Sequence, residues 1–550
     1  MELLYKNFLD ETFDKDGMLI DAKLHAPDTY NFGFDVIDAI AERTPDKKAL
    51  VWLSKNKEKR EFTFSDISKM SNQVANYLTS LGIKKGDKVM LVLKRHYQFW
   101  TVMPALEKIG AIAIPSTVQL MKHDFVYRFN TAGVDAIIST VDDNVHVEIE
   151  NAIEEYGKDI IKACVNGVLD GWIDFDKEVA KCSDVFSRPS GESELFSDEY
   201  SLMYFSSGTT SYPKIVAHTH TYSIGHILTA KYWHNVNSNG LHYVISDTGW
   251  GKAVWGKMYG QWLCEACVLA YDFDKFVATD ILELFGELKI TTFCAPPTMY
   301  RFFIKEDLSR YDFSSLEYAT TAGEALNPEV FNKFYEYTGI KLMEGFGQTE
   351  TTLLIANIVG MNPNPGSMGK PSPQFDVKLL DADDNEVIAG EPGEICVNIS
   401  SGRPMGIFAC YYNDEEKSKA CISNGFYHTG DVAWKDENGY LWYEGRTDDL
   451  IKSSGYRISP FEIESVIIEL PYVLECAVVG VSDEVRGQII KASVLLVEGT
   501  EKSEAIKKEI QDYVKTNTAP YKYPRIVDLV DELPKTISGK IRKVELRESK

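Results

Sequence analysis

The hydrophobic pattern alternates between short continuous apolar runs and longer stretches with helical periodicity. The apolar runs are typical of strands buried on both faces, and they lie at 88–94 (KVMLVLK), 111–115 (AIAIP), 135–141 (DAIISTV) and 290–296 (ITTFCAP). Helical patterns lie between them, for example FSDISKMSNQVANYLTSLG at 64–82. This alternation predicts an α/β fold built from layered, mainly parallel sheets.

The pattern changes twice in the second half of the chain. From about residue 366 turn residues separate alternating strands, as in DVKLLDADDNEVIAGEPGEICVNI, which predicts a β-rich subdomain. After GRTDDLIKSSGYR (445–457) the strand-like runs ECAVVGV and ASVLLV and the charged helical pattern SEAIKKEIQDYVKT predict a small α+β domain. We therefore expect a large N-terminal domain at 1–447 and a small mobile C-terminal domain at 448–550, with the boundary at Asp448.

Length and charge exclude several classes of protein. A chain of 550 residues is too long for one hydrophobic core. Its net charge of −24 provides no basic footprint for nucleic acid. The opening stretch MELLYKNFLDETFDKDG lacks the apolar centre of a signal peptide, and no apolar run approaches the roughly 18 residues of a spanning helix. We expect a cytoplasmic protein without a transmembrane segment.

The nine cysteines are scattered, and only Cys264 and Cys267 form a CxxC pair. Zinc would need two further ligands, and the sequence shows no second pair near them. We therefore expect buried thiols at these two positions.

The stretch YFSSGTTSYPK (204–214) is rich in glycine and small hydroxyl residues and ends in a lysine. Such a stretch can converge backbone N–H groups, hydroxyls and one cation on an anion. It differs from the GxxxxGK[ST] loop of the common nucleotidases. From the residues alone, a phosphate cradle and a flexible surface loop remain alternatives.

Four further stretches carry candidate chemistry. In EGFGQTETT (344–352), Phe346 could stack on a flat ring and Glu350 is a hard oxygen ligand for Mg²⁺; the alternative is a strand end with a solvated glutamate. In YHTGD (427–431), Asp431 could accept two ribose hydroxyls or could simply cap a turn. GRTDD and SSGYR contribute arginines, and PKTISGK places Lys540 in a Gly/Ser loop, where a lysine is commonly just solvated.

The joint order of these motifs resembles the adenylate-forming superfamily, which holds acyl-CoA synthetases, peptide-synthetase adenylation domains and luciferases. The likeness rests on YFSSGTTSYPK, AGEAL, EGFGQTE, YHTGD, GRTDD and PKTISGK and covers nearly the whole chain. Ser211 departs from it, because that loop usually has glycine there. Within the superfamily, SDTGW, PGSMGKPSP, SSGYRISPFEIE and APYKYPR resemble the medium-chain acyl-CoA synthetases, and GWGKAVWGKMYGQW resembles prokaryotic members that take short, branched or medium acyl chains.

The resemblance implies a role for each matching residue. The ATP phosphates would be held by Ser206, Ser207, Gly208, Thr209, Thr210 and Lys214. The adenine and the rest of the nucleotide would contact Gly323, Glu324, Ala325, Glu344, Gly345, Phe346, Gly347 and Gln348. Thr349 would touch the α-phosphate, Glu350 would bind Mg²⁺, Asp431 and Arg446 would grip the ribose, and Arg457 would serve the phosphate side.

The remaining implied roles concern the lid, coenzyme A and the acid. Lys540 would be the adenylation lysine, Asp448 the hinge, and Gly455 and Tyr456 the coenzyme A side. The acyl pocket would be lined by Gly347, Trp250, Lys252, Trp255 and His220. For Lys252 a pocket wall, a solvent position and a specific contact with the acid remain alternatives.

The implied activity is an AMP-forming acyl-CoA synthetase that uses ATP, Mg²⁺ and coenzyme A on a short, branched or medium-chain carboxylic acid. Three alternatives remain: an aryl-CoA ligase, an adenylating enzyme that loads a carrier-protein thiol, and an inactive nucleotide-binding homologue. Lys540, Glu350 and Asp431 argue against the last, and this chain shows no GxDS carrier site. The pattern fixes neither the acid nor the oligomeric state, and a homodimer is compatible with it.

Overall fold

The apolar runs of the chain come together as the inner strands of two large sheets. The computed structural model describes residues 2–206, 213–324, 326–454, 456–483, 486–535 and 541–548. The strands are β1 Leu9–Phe13, β2 Leu19–Leu24, β3 Lys48–Leu53, β4 Lys59–Thr63, β5 Lys88–Val92, β6 Ile112–Pro115, β7 Ala136–Thr140, β8 Ile161–Val165, β9 Ile173–Asp174, β10 Tyr200–Ser206, β11 Lys214–Thr219, β12 Leu241–Val244, β13 Cys267–Tyr271, β14 Thr292–Ala295, β15 Tyr318–Thr321, β16 Leu342–Gly347, β17 Leu353–Ala356, β18 Lys370–Pro371, β19 Val377–Leu380, β20 Pro392–Asn398, β21 Cys410–Tyr411, β22 Ile422–Ser423, β23 Phe426–Lys435, β24 Leu441–Arg446, β25 Ile451–Ser453, β26 Tyr456–Ile458, β27 Val473–Asp483, β28 Gly487–Leu496 and β29 Ile526–Val530.

Helices separate most of the parallel strands. The α-helices are α1 Ala39–Arg43, α2 Phe64–Ser80, α3 Phe99–Ile109, α4 Lys122–Arg128, α5 Val145–Tyr156, α6 Phe175–Val179, α7 Tyr222–Gly225, α8 Gly251–Lys257, α9 Tyr259–Leu263, α10 Ala278–Leu288, α11 Pro297–Phe303, α12 Pro328–Thr338, α13 Glu415–Ala420, α14 Pro460–Ile468, α15 Glu504–Asn517 and α16 Lys543–Glu548. Short π-helical turns span Gly33–Asp38, Phe129–Gly133 and Thr229–Trp233, and 3-10 turns span Leu4–Asn7, Asp142–Asn144, Gly191–Ser193, Leu308–Arg310 and Pro520–Lys522.

The nine-stranded sheet is parallel in the middle and antiparallel at both ends, whereas the eight-stranded sheet is antiparallel only at the end formed by β10, β11 and β21. One has the order β21-β11-β10-β6-β5-β7-β8-β9, and the other has the order β18-β17-β16-β15-β14-β12-β13-β3-β4. The four apolar runs became β5, β6, β7 and β14, and 64–82 became α2. A reciprocal capping box starts α2, since the Thr63 side chain accepts from the Asp66 N–H and Asp66 accepts from the Thr63 N–H. The predicted α/β fold class is confirmed.

Buried tryptophans connect helical segments to the nine-stranded sheet. The Trp233 indole N–H donates to the Met343 carbonyl in β16 at 3.0 Å, and that of Trp262 donates to the Ala49 carbonyl in β3 at 3.0 Å. Each ring adds a large apolar area to the core while its one polar atom stays bonded. These contacts fix the segment 229–263 against the strands that carry the site described below.

The β-rich segment forms a separate sheet with the order β19-β20-β23-β22, and β24 pairs with β23. The C-terminal residues form another sheet, with the order β26-β25-β28-β27 and β29 beside β28. This last sheet packs with α14 and α15 around its own core, which includes Ile463, Val478 and Ile510. Asp448 lies in the turn between β24 and β25, so the domain limits and the hinge stay predictions that the sheet arrangement is compatible with.

The CxxC cysteines are buried free thiols, as expected. Burial raises the pKa of both Cys264 and Cys267 to about 12, so both stay protonated. Among the residues that the structure describes, no helix is both long enough and apolar enough to cross a bilayer.

Candidate nucleotide site

The predicted phosphate loop joins two antiparallel strands of the eight-stranded sheet. Ser206 ends β10 directly opposite Lys214, which begins β11. The loop residues Ser207, Gly208, Thr209 and Thr210 lie outside the described residues. The Lys214 ammonium lies 4.6 Å from the centre of the Tyr411 ring. This cation–π contact holds the ammonium near the loop end of the hairpin formed by β10 and β11.

Glu350, the predicted magnesium ligand, lies in the turn after β16. The Tyr411 hydroxyl donates to its Oε1 at 2.9 Å, and the Glu350 carbonyl accepts from the Phe408 N–H at 2.7 Å. Burial, and then the Glu350 charge, raise the pKa of Tyr411, so its hydroxyl remains a donor. A half-buried carboxylate beside the phosphate hairpin is a suitable oxygen ligand for Mg²⁺.

Thr349, which precedes Glu350, is anchored through its backbone. The Nε2 of His218 donates to the Thr349 carbonyl at 2.9 Å, and the His218 ring stacks on Tyr222 at 3.7 Å. Burial lowers the pKa of His218 to about 3, so this ring is neutral at physiological pH. A neutral ring can fix the turn without placing a second charge next to the phosphates.

Asp431, the predicted ribose ligand, is buried and bonded through both carboxylate oxygens. The Tyr443 hydroxyl donates to Oδ1 at 2.9 Å, whereas Arg446 lies 3.2 Å from Oδ2 and the Gln348 amide also donates to Oδ2. Tyr427 in turn donates to Gln348 Oε1 at 2.8 Å. The structure therefore brings together three residues that the motifs placed in three separate stretches.

The Arg446 guanidinium closes over the turn that carries Asp431. A β-carbon on Gly430 would lie 2.7 Å from Arg446 Nη2, and Gly430 has a φ of +73°, so only glycine suits this position. Burial alone would lower the pKa of Arg446, but the Asp431 and Asp448 carboxylates shift it upward overall. Asp448 itself, the predicted hinge, is exposed, with Oδ1 3.7 Å from Arg446 Nε.

The predicted adenine loop lies between β15 and α12. Gly323 has a φ of +109°, and Glu324 accepts from Thr298 at 2.5 Å and pairs with Arg301 at 3.3 Å. Ala325 lies outside the described residues. The Phe346 ring is 6.2 Å from that of Tyr443, so an aromatic pair faces the same region as Asp431.

Glu344 has a structural contact that the motif did not reveal. It is fully buried, and its Oε1 accepts from the Leu326 N–H at 3.2 Å. Burial raises the pKa of Glu344 to about 8. This carboxyl group therefore ties β16 to the adenine loop, and next to it Gly345 packs where a β-carbon would lie 2.7 Å from the Trp233 ring.

The predicted acyl-pocket residues come from several segments of the chain. Trp250 precedes α8, which carries Lys252 and Trp255, and the Lys252 ammonium donates to the Ala322 carbonyl at 2.8 Å. Lys252 therefore contacts the segment next to the predicted adenine loop. Neither of the two expectations, a solvent position or a pocket wall, included this contact. His220 instead forms a buried pair with Glu107, which also accepts from Tyr259 at 3.2 Å.

Gly347 has less room than its predicted role in the pocket requires. A β-carbon there would lie 2.5 Å from the Thr352 carbonyl oxygen, because the pairing of β16 with β17 shifts register at this point. The open volume inferred from the missing side chain is therefore occupied by backbone. Its place in the acyl pocket stays a prediction.

Residues that the motifs missed form a stacked row beside Trp255. His226 and His234 lie nearly parallel to its ring at 6.4 and 5.9 Å, whereas Tyr222 meets the His226 ring edge-on and stacks on His218. The Nε2 atoms of His226 and His234 are buried without a protein partner. The sequence signal for His226 was the density of histidines after Lys214, since HTHTYSIGH carries three within nine residues; His234 lies beyond that stretch.

The predicted coenzyme A side lies in the C-terminal sheet. Tyr456 is exposed and stacks on Tyr521 at 4.2 Å. Arg457 pairs with Lys452 across β25 and β26. The Arg457 side chain, Gly455 and Lys540, the predicted adenylation lysine, lie outside the described part of the chain. The Asp448 carbonyl accepts from Arg547 at 3.4 Å, which links the hinge position to α16.

Comparisons with known proteins agree with this arrangement. The profile described as AMP-binding enzyme matches residues 37–412, and that described as AMP-binding enzyme C-terminal domain matches residues 462–540. Acyl-coenzyme A synthetase ACSM3, mitochondrial, of Mus musculus is 37% identical over 561 residues, covering 100% of this chain and 96% of the relative. Acyl-coenzyme A synthetase ACSM4, mitochondrial, of Homo sapiens is 38% identical over 532 residues, covering 95% and 91%.

Solved structures of CoA ligases and acyl-CoA synthetases share the fold of this chain. The anthranilate CoA ligase AuaEII in complex with anthranoyl-AMP superposes with a TM-score of 0.86 at 28% identity, covering 95% of this chain and 97% of that one. The Brucella canis acyl-CoA synthetase gives 0.71 at 30% identity, covering 96% and 95%. The resemblance seen in the motifs is thus confirmed, and the chain belongs to the AMP-binding enzyme family.

Proposed function

We propose that this protein is an AMP-forming acyl-CoA synthetase that activates a short, branched or medium-chain carboxylic acid. ATP and the acid give an acyl-adenylate and pyrophosphate, and the coenzyme A thiol then takes the acyl group and releases AMP. The observation that carries this proposal is the convergence of Lys214, Glu350 and Asp431 from three separate stretches, each held by a tyrosine or arginine contact. Full-length similarity to acyl-CoA synthetases supports it.

In the first step, the protein holds two anions in line and balances the charge that develops. Asp431 accepts the ribose hydroxyls, and the Phe346–Tyr443 pair offers a flat surface to adenine. Glu350 would hold the Mg²⁺ of the ATP complex through its carboxylate, and the ion would supply charge neutralisation at the phosphates. Lys214 adds a positive charge at the hairpin, and Lys540 meets the carboxylate and the α-phosphate in the transition state.

In the second step, the C-terminal domain rotates so that a different face of it meets the active site. Rotation about Asp448 withdraws Lys540 and presents Gly455 and Tyr456 to coenzyme A. Water exclusion matters between the steps, because the acyl-adenylate hydrolyses readily. The position of Asp448 in the turn between β24 and the C-terminal sheet supports the hinge.

The stacked row of Trp255, His226 and His234 bounds the acyl side of the site. Their rings favour flat or short chains over long ones, and the two buried nitrogens can bond to water or to a polar group on the acid. An aryl-CoA ligase is therefore the second candidate. The fit to the anthranilate CoA ligase, at a TM-score of 0.86, favours it.

The decisive experiment measures both half-reactions across a series of acids. Pyrophosphate release is followed for straight acids from about C2 to C12, branched acids and aryl acids, and acyl-CoA is quantified with coenzyme A or a phosphopantetheinylated carrier as acceptor. We expect release with at least one class of acid and transfer to coenzyme A. The absence of pyrophosphate release with every acid would contradict the proposal, whereas a preference for the carrier would favour the carrier-loading alternative.

Lys540→Ala provides the matched test of the division of labour. We expect adenylation to fall by about 10²–10³-fold, because a charge that stabilises the transition state is lost. Transfer from supplied acyl-adenylate should suffer much less. Equal losses in the two half-reactions would refute the role given to Lys540.

The cellular location is a separate part of the proposal. We keep the cytoplasmic location from the sequence, although the mouse and human relatives above are named mitochondrial. Fractionation of cells that express the chain in its natural host decides between a cytoplasmic and an organellar protein.

A further inference from the structure

Three metal-binding side chains lie on one face of the β19–β24 sheet. Glu394 and Cys396 are two residues apart in β20 and therefore point to the same face. In the antiparallel pairing, His428 of β23 lies directly opposite Cys396. The strand register thus gathers a carboxylate, a thiol and an imidazole that the nucleotide motifs do not use.

Two of the three separations between the donor atoms are close to those around a tetrahedral metal ion. His428 Nδ1 lies 3.1 Å from Glu394 Oε2 and 3.3 Å from Cys396 Sγ, and the three donor atoms all lie within 4.8 Å of one another. Zinc bonds of about 2.0–2.3 Å at tetrahedral angles place neighbouring ligand atoms about 3.3–3.5 Å apart. The two separations measured from His428 would therefore change by only a few tenths of an ångström if an ion entered.

A second carboxylate orients the imidazole as metal-bound histidines usually require. Asp384 Oδ1 lies 3.5 Å from His428 Nε2, the nitrogen that faces away from the other two donors. Asp384 is itself held by Ser423 at 2.9 Å and Asn424 at 2.6 Å. Nε2 has no hydrogen-bond partner in the described part of the chain, so a small shift toward Asp384 would hold its proton and leave Nδ1 as the ligand atom.

The site is open on one side and carries negative charge. Cys396 is buried, whereas the side chains of His428 and Glu394 are 17% and 23% exposed, which gives an ion a path from solvent.

From this geometry we propose that Glu394, Cys396 and His428 form a zinc site, with Asp384 as the positioning residue and water in the fourth place. Mixed sulfur, nitrogen and oxygen ligands suit Zn²⁺ better than Mg²⁺ or Ca²⁺, which take oxygen ligands. Zinc would also stiffen the nucleotide site. Glu394 Oε1 accepts from the Gly430 N–H at 2.7 Å, and Gly430 precedes Asp431. This second effect, unlike zinc binding itself, rests on the proposed function.

The test uses the full chain, stripped with a chelator and titrated with zinc alone and with cobalt as a spectroscopic substitute. We expect one bound equivalent that is lost in Cys396→Ser, together with a thiolate-to-cobalt absorption band in the wild type. Asp384→Asn should weaken zinc binding by about 10–100-fold, because the imidazole loses its orienting partner.

Cys410→Ser is the matched control, because Cys410 is also a free thiol, partly buried, but contacts Tyr200 at 3.3 Å and none of the proposed ligands. It should keep the zinc equivalent and the cobalt band. If Cys396→Ser fails to fold, Glu394→Gln removes the anionic ligand and can keep an acceptor for Gly430. Unchanged stoichiometry in both Cys396→Ser and Glu394→Gln, or a wild-type cobalt complex without a thiolate band, would overturn the proposal and leave a hydrogen-bonded trio only.

Discussion

Tyr411→Phe removes one hydroxyl from the predicted magnesium side of the nucleotide site. The hydroxyl donates to Glu350 Oε1 at 2.9 Å, and it is the atom that links this carboxylate to the phosphate hairpin. The phenylalanine ring can keep the contact with Phe408, whose centre is 4.9 Å away, and with Lys214 at 4.6 Å. The change therefore tests one hydrogen bond without emptying the core.

The size of the effect follows from the charge of the acceptor. A hydrogen bond to a charged group contributes about 1.5–3 kcal/mol, and each 1.4 kcal/mol is a factor of about ten. Glu350 is only partly buried, so water can replace part of the lost bond and the lower end of the range applies. We expect the KM for magnesium-ATP to rise about tenfold.

The assay is pyrophosphate release at varied magnesium-ATP and varied free Mg²⁺, with a good acid substrate held in excess. The KM for the acid should stay within about twofold, and excess Mg²⁺ should recover part of the rate, because only the orientation of Glu350 has changed. Tyr412→Phe is the control, since its ring contacts Tyr200 at 6.1 Å instead. A Tyr411→Phe protein with an unchanged KM for magnesium-ATP, or one whose acid KM rises equally, would refute the reasoning.

Three further predictions address the adenine loop, the lid and the acyl side. Glu344→Gln should flatten the pH dependence of the free energy of unfolding. In the wild type the pKa of Glu344 is raised to about 8 in the folded state, so the free energy of unfolding falls by on the order of a few kcal/mol as pH rises from about 4.5 to 8. Unfolding midpoints measured across that pH range would show this fall in the wild type and not in the variant. Asp448→Pro should still form acyl-adenylate but should lose most acyl-CoA production, because proline fixes φ near −65°; normal turnover in a coupled assay would count against the hinge. Trp255→Ala should move the optimum of kcat/KM towards longer acids, at about fourfold per methylene accommodated, and an unchanged chain-length profile would place Trp255 outside the pocket.

The framework of the fold was predictable because its strands are buried on both faces. The run at 135–141 became Ala136–Thr140 and that at 290–296 became Thr292–Ala295. Continuous apolar runs bounded by helices leave few alternatives to inner strands of a parallel sheet. The β-rich segment was equally clear, because its turns contain Asp, Asn and Gly between alternating strands.

The contacts inside the site were not predictable, because they join residues far apart in the chain. Tyr411 and Glu350 meet although 61 positions separate them, and no periodicity connects the two. The missing side chain of Gly347 was interpreted as open volume in the pocket, but the register shift beside it places the Thr352 carbonyl there. Such a bulge depends on the partner strand, which the local sequence does not show. The buried pair of His220 with Glu107 of α3 was not predicted either, and the place of His220 in the acyl pocket stays a prediction.

Strand β23 couples the nucleotide site to the proposed zinc site through its alternating side chains. Tyr427 reaches Gln348 and Asp431 reaches Arg446, while His428 between them reaches Glu394. Glu394 touches both sides, since one oxygen meets His428 and the other accepts the N–H next to Asp431. A change at the zinc side should therefore act on ATP binding and leave the acid side unaffected. Zinc that lowers the KM for ATP in the wild type but not in Cys396→Ser would demonstrate this coupling, and zinc binding without any change in that KM would show that the two faces of the strand work independently.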